Sequence, residues 1–151
     1  MRAVVQRVTE ARVRVGGLIT GEIGAGLLAL VGIAKGDGPE DVKYIAGKLR
    51  DIRVFDGADG KGMDRSVADV GGALLVVSQF TLYGDVRKGR RPSFDAAAPP
   101  AEARAIYEDL VRELRDTSRL TVATGEFQAM MRVELVNDGP VTILIDSKRH
   151  S

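Results

Sequence analysis

The chain contains no cysteine and no tryptophan, and among its 151 residues there is one histidine, His150. Each shortage removes some chemistry. Without cysteine there is no thiol nucleophile and no thiolate metal site. His150 stands next to the C-terminus, where it is poorly placed to be held rigidly in a cleft, so a Ser-His-Asp triad is disfavoured. A zinc site built on several histidines is impossible within one chain. No run of about 18 apolar residues exists, so no membrane span is expected. The opening "MRAVVQRVTE" has neither a long apolar core nor a small-residue cleavage site, and reads as a β-strand rather than a signal peptide. With no targeting segment and no cysteine, the expected compartment is the cytoplasm. Any catalysis must therefore lean on backbone groups, hydroxyls, carboxylates or the substrate itself.

What is present describes one compact unit. Hydrophobic residues make up 44% and charged residues 28% of the chain, a globular balance with room for a real core in a single domain, 1–151. The net charge is only +1, so basic character is local: Arg87, Lys88, Arg90 and Arg91 in "DVRKGRRPSF", and Lys148 with Arg149 near the end. On composition alone these are a solvated loop and tail.

Period-two alternation over Ala3, Val5, Ala11, Val13 and Val15 predicts an opening strand, punctuated by Gly16-Gly17 and answered by "LITGEIG". "GLLALVGI" is a glycine-bounded apolar run and reads as a buried strand. Pro39, early acids and Val42, Ile45, Ala46 and Leu49 at helical spacing predict a first helix. The acidic, glycine-rich stretch from Asp56 invites a calcium-loop reading, but the ligand pattern lacks its closing Glu and is discounted. "ALLVVSQFTLYG" predicts a central buried strand. "PPAEARAIYEDLVRELRD" predicts a second helix with Ala103, Ile106, Leu110 and Leu114 on one face. "RVELVNDGPVTILID" reads as two strands joined by a turn at "NDGP". The helices do not alternate regularly with strands. The expected class is α+β: a largely antiparallel, curved or barrel-like sheet packed by two helices.

Three short segments carry chemical interest. Ser78, Gln79 and Thr81 follow an apolar run that looks buried on both faces, so they fall where a strand ends and backbone N–H groups lose their ladder partners. An N–H freed there can stabilise a developing oxyanion without an ionisable side chain. Neither hydroxyl has a histidine or lysine nearby in sequence to activate it. "NDGPVT" is on its pattern a tight turn. "TGEFQAMM" reads as core filler.

Taken together, these segments resemble the D-aminoacyl-tRNA deacylase family. The resemblance is nearly full-length: "MRAVVQRV", "GLLALVGI", "SQFTLYGD", "KGRRPSF", the Gly-x-Phe segment at 125–127 and "NDGPVT". It implies that Ser78, Gln79, Phe80 and Thr81 form the catalytic strand end, with Thr81 lining the pocket and traditionally offered as a nucleophile. It implies a cis Gly139–Pro140 bond, inserted into the partner's active site in a homodimer, as the chirality gate. Arg7 supports that segment, and Phe127, Ala129, Met130, Val141 and Thr142 are the further pocket residues. The resemblance also implies an aminoacyl-tRNA partner, water activated with help from the ribose 2′-hydroxyl, and no metal or other cofactor. Arg87, Lys88, Arg90 and Arg91 are then tRNA contacts. Two positions depart from the pattern: Gln128, where the family commonly has glycine, and Asp64, where asparagine is common. The competing expectations are a non-catalytic RNA-binding dimer and a purely structural dimer.

Overall fold

The computed structural model describes residues 1–148; His150 and Arg149 lie outside the described residues. Eight strands and two α-helices follow in the order β1 (Arg2–Val15), β2 (Leu18–Ile23), β3 (Gly26–Gly32), α1 (Pro39–Asp51), β4 (Phe55–Asp56), β5 (Met63–Arg65), β6 (Ala73–Ser78), α2 (Pro100–Thr117), β7 (Val122–Thr124) and β8 (Arg132–Asp146), with a 3-10 turn at Phe80–Tyr83. The main sheet runs β2-β1-β3-β6-β7, and β8 pairs with the other edge of β1. Pairings to β1 are antiparallel. Those of β3 with β6 and of β6 with β7 are parallel, because each crossover carries a helix. The ends of the sheet nearly meet: a Cβ on Gly21 of β2 would stand 2.1 Å from the Thr124 carbonyl oxygen of β7. Only glycine permits that approach, and the sheet curls into an almost closed barrel. No helix of the described residues is long and apolar enough to cross a membrane.

Two apolar clusters explain the continuous apolar run of β6. Leu74 and Val76 point to a layer shared with α1 and α2, including Ile45, Leu49, Leu110 and Leu114. Leu75 and Val77 point the other way, onto Val8, Val13 and Leu28 inside the curl. A strand covered on both faces has no polar side to alternate with. Each such buried side chain contributes about 1.5–3 kcal/mol. On α2, the expected Ala103, Leu110 and Leu114 are buried, joined by Tyr107 and Val111. The buried Tyr107 hydroxyl donates to the Val76 carbonyl at 2.7 Å. Burial pushes that hydroxyl's pKa up to about 12.

The "NDGP" segment differs from its expectation. It is not a turn between two strands. Thr142 pairs with Gln6 and Asn137 with Val8, so residues 138–141 stand opposite Arg7 alone, as a bulge inside one long β8. Glycine and proline signal a break in the ladder, and both a hairpin turn and a bulge are such breaks. Which one forms depends on the distant partner strand.

The ends of the described chain converge on α1. The Met1 ammonium ion-pairs with Asp37 at 2.9 Å, both fully buried, and donates to Ser147 Oγ at 2.7 Å. Ser147 in turn donates to Asp41, which also accepts the Gly38 N–H at the start of α1 and the Lys148 ammonium. Burial alone would push the Asp41 carboxyl up, but these donors bring it down to about 2. A carboxyl lowered on folding stabilises above its ordinary titration range and loses that stabilisation as pH falls towards 2. An Asp41→Asn variant should be less stable at pH 7 by on the order of 2 kcal/mol, and the deficit should shrink below pH 4. Urea unfolding of both proteins at pH 7 and pH 3 tests this; an equal deficit at both would refute it.

Candidate active site

The polar strand end lies where the sequence suggested. β6 stops at Ser78, and the Gln79 N–H extends the parallel ladder one step further to the Val31 carbonyl, at 2.8 Å. The chain then tightens into the 3-10 turn rather than continuing as strand. The first N–H groups of such a turn have no acceptor within it. No hydrogen bond from the Phe80 or Thr81 N–H to a group outside the turn occurs among the described residues. Two backbone donors are thus left at the end of a strand whose four central residues are buried. Ser78 continues the alternation of Leu74 and Val76, and so faces the side on which α2 begins. The Gln79 side-chain amide donates to the Thr81 hydroxyl.

A cleft of about 730 Å³ opens beside this strand end. Ser78, Gln79 and Phe80 form one wall. Phe94 and residues 97–100 with Ala103 form a second, and residues 127–131 with Val133 a third. The rings of Phe80 and Phe94 meet edge to face, 5.0 Å between centroids. Phe127 leans on Tyr107 at 5.9 Å, with the Arg104 guanidinium 4.9 Å from its centre. The 3-10 turn is held from behind: Arg2 donates to the Leu82 carbonyl and to Asp146, and lies over the Tyr83 ring at 4.5 Å. Burial, with the nearby Asp37 and Asp146 charges, raises the Tyr83 hydroxyl's pKa.

The expected site residues divide into two groups. Ser78, Gln79, Phe80, Phe127, Ala129 and Met130 line this cleft, and Thr81 stands beside it, bonded to Gln79. Gly139, Pro140, Arg7, Val141 and Thr142 do not line it. They build a second feature, the β8 bulge. Its Gly139–Pro140 bond is cis. Gly139 has φ +129°, a region that favours glycine, and a Cβ there would meet Val141 at 2.8 Å and Arg7 at 3.1 Å. Arg7 braces the bulge, donating through Nε to the Asp138 carbonyl at 3.0 Å and through Nη1 to the Val54 carbonyl at 2.7 Å. Val141 is buried in the helix-side core, and Thr142 donates to the Gln6 side chain. Asp138, Gly139 and Pro140 of the bulge are exposed.

Comparison with known proteins places this geometry. The profile of the D-Tyr-tRNA(Tyr) deacylase family matches residues 4–146. The chain belongs to this family of hydrolases. It is 58% identical to the D-aminoacyl-tRNA deacylase of Heliobacterium modesticaldum over 98% of its own length and 97% of the relative's. It is 59% identical to that of Anaeromyxobacter dehalogenans, over 99% of both chains. Among solved structures, the c-Myc DNA Unwinding Element Binding Protein superposes with TM-score 0.92 at 41% identity, covering 97% of this chain and 98% of that one. A probable eukaryotic D-amino acid tRNA deacylase superposes with TM-score 0.78 at 18% identity over 95% of this chain and 97% of that one, a likeness of fold.

In this deacylase fold the basic loop is a finger beside the cleft. Paired N–H and carbonyl groups of Asp85 and Ser93 close its base, and Phe94 packs that base onto the 3-10 turn. Arg87 is spent on the finger's own structure, since its guanidinium and backbone N–H both bond Asp85. Those bonds hold the Asp85 carboxyl at about 2. Lys88, Arg90 and Arg91 are exposed and form no ion pair among the described residues. The acidic stretch forms no metal cradle: Asp59 caps the Lys61 N–H, Asp64 faces Arg53, and no group of His, Cys, Asp or Glu among the described residues is placed to hold a metal ion. Sequence reasoning missed the Phe94–Ala103 wall. Its prolines and alanines carry no chemical signal, although "RRPSF" and the paired prolines opening α2 mark its two ends.

Proposed function

We propose that this protein hydrolyses the ester of D-aminoacyl-tRNA, releasing free D-amino acid and tRNA, in the cytoplasm. The observation that carries this reading is the apolar cleft lined by Ser78, Gln79 and Phe80, with the unclaimed N–H groups of Phe80 and Thr81 at the same strand end, in a chain of this family. Water attacks the ester carbonyl carbon with help from the neighbouring ribose 2′-hydroxyl. The carbonyl oxygen gains negative charge, which the freed N–H groups stabilise. The C–O bond then breaks, and the departing ribose 3′-oxygen takes a proton. No side chain need act as acid or base. Thr81 holds Gln79 rather than serving as nucleophile.

Stereoselectivity falls to the Gly139–Pro140 bulge, which enters the cleft of a second copy. The two hands of an aminoacyl ester offer the same polar groups, so discrimination comes from collision on one side of the α-carbon. A braced main-chain wall collides with every L side chain alike. Glycine has no side chain to collide, and glycyl-tRNA is cleaved as well. The exposure of the bulge, its absence from its own cleft, and the exposed Leu135, Val136 and Leu144 on β8 support a homodimer.

The test is ester loss from matched D-tyrosyl-, L-tyrosyl- and glycyl-tRNA, with and without chelator. Loss of the D- and glycyl esters with the L-ester spared, unaffected by chelator, is expected. Equal loss of D- and L-esters would end the steric-wall reading, and no loss from any would end the esterase reading. The finger contacts phosphates through Lys88, Arg90 and Arg91. Replacing any one with Gln should lower the slope of log Kd for tRNA against log salt by about 0.7–0.9. Arg87→Gln should change it less. An unchanged slope in all four would remove the finger from the RNA path.

A further inference from the structure

We propose that the side-chain amide of Gln128 reads the edge of the base on the substrate's terminal nucleotide, an inference that rests on the cleft being the seat of an aminoacylated RNA end. Gln128 is the third residue of a tight turn closed by the Ala129 N–H to the Glu126 carbonyl, at 3.2 Å. Its φ is +64°, and every other residue with positive φ among those described is glycine. This backbone region disfavours side chains, and the third position of such a turn suits glycine. Gln128 therefore opposes its own local geometry. Gln128 is exposed at the cleft, and its side chain forms no hydrogen bond among the described residues, so the amide is free to meet a ligand there. A strained residue with an unspent polar group, in the wall of a cleft, points to a ligand.

The rest of the cleft suggests which part of the ligand. Among the described residues, its only polar side chains are Ser78, Gln79 and Gln128. The first two stand at the strand end, where the ester carbonyl is held, and the Gln79 amide already donates to Thr81. The rest of the lining is apolar and partly flat, with Phe80, Phe94, Pro99, Pro100, Met130 and Met131. Such a slot fits a heterocycle, and one amide fixes its orientation. An amide offers a donor and an acceptor side by side, the complement of the adenine 6-amino group and the ring nitrogen beside it.

The experiment compares adenosine with purine riboside, which lacks the 6-amino group, first as free nucleosides in equilibrium binding and then as the 3′ ends of D-tyrosyl-tRNA. Wild-type protein should favour adenosine about tenfold in both assays, the worth of one well-made hydrogen bond. In Gln128→Ala and Gln128→Gly that preference should fall to near one. Gln128→Gly relieves the left-handed backbone, so it should melt no lower than wild type, which separates lost recognition from lost folding. Retention of the tenfold preference in both variants overturns the assignment. So does a change in which D-aminoacyl groups are cleaved with the base preference intact, because the amide would then face the amino acid. Base preference without any ester cleavage would count against the deacylase reading and leave the role of Gln128 standing.

Discussion

A Gly139→Ala variant is expected to lose about a hundredfold in kcat/KM on D-aminoacyl-tRNA while remaining folded. The added methyl has nowhere to go. It would lie 2.8 Å from a Val141 methyl, 3.0 Å from the Val141 nitrogen and 3.1 Å from the Arg7 guanidinium, at a φ of +129° that alanine avoids. Val141 is fixed in the core and Arg7 is tied to two carbonyls, so the bulge itself must shift. A displacement of about 1 Å in a positioning element costs on the order of a hundredfold in rate. Stability should suffer less, because Gly139 and Pro140 are exposed and the four residues of the bulge make no ladder pairs. Discrimination should also erode, with the D/L ratio moving towards one. A variant with wild-type rates on both esters would show that the bulge takes no part in the reaction.

The second large effect is on stability. Asp37→Ala should cost about 3–5 kcal/mol, the penalty for stranding a buried charge. The Met1 ammonium and the Asp37 carboxylate are both fully buried, 2.9 Å apart. Without the carboxylate the ammonium keeps only the Ser147 hydroxyl, and the Ala34 N–H loses its acceptor at 2.8 Å. For a domain of this size that is a third or more of typical stability, and roughly 10 °C in Tm. Calorimetry of the two proteins at neutral pH decides it, and a Tm within 2 °C of wild type would mean that water or a neighbouring group takes over the ammonium. Activity should fall along with stability. β1 begins at this pair, and Arg2, its next residue, holds the Leu82 carbonyl behind the 3-10 turn.

These residues also show where sequence reasoning works and where it stops. The two helices were legible because their apolar residues recur every three or four positions, and proline marks where each begins. β6 was legible because four consecutive apolar residues can only be covered on both faces. Its polar end followed from that, since Ser78 and Gln79 had to lie where the cover stops. The parallel pairing of β3, β6 and β7 was not legible, because register between distant strands leaves no local trace. For the same reason "NDGP" looked like a hairpin turn: its second strand already had a partner, β1, more than a hundred residues away. Sequence could locate Gln128 but not its left-handed backbone. The Phe94–Ala103 wall was invisible, as shape made from small apolar residues has no pattern to read.

The β8 bulge has one more consequence, for how the length of this segment can change. Between the pairs Gln6–Thr142 and Glu10–Val136, β1 advances four residues and β8 advances six. The excess is two, an even number. Val133 on one side of the bulge packs onto the cluster inside the curl, and Val141, Ile143 and Ile145 on the other join the helix-side core, while Glu134, Thr142 and Leu144 are exposed. Side chains alternate with period two, so losing or gaining a single residue here would turn one half of the strand inside out. Insertions and deletions in this stretch are thus tolerable only in pairs, and a shortened bulge could survive in the fold only by losing two residues together.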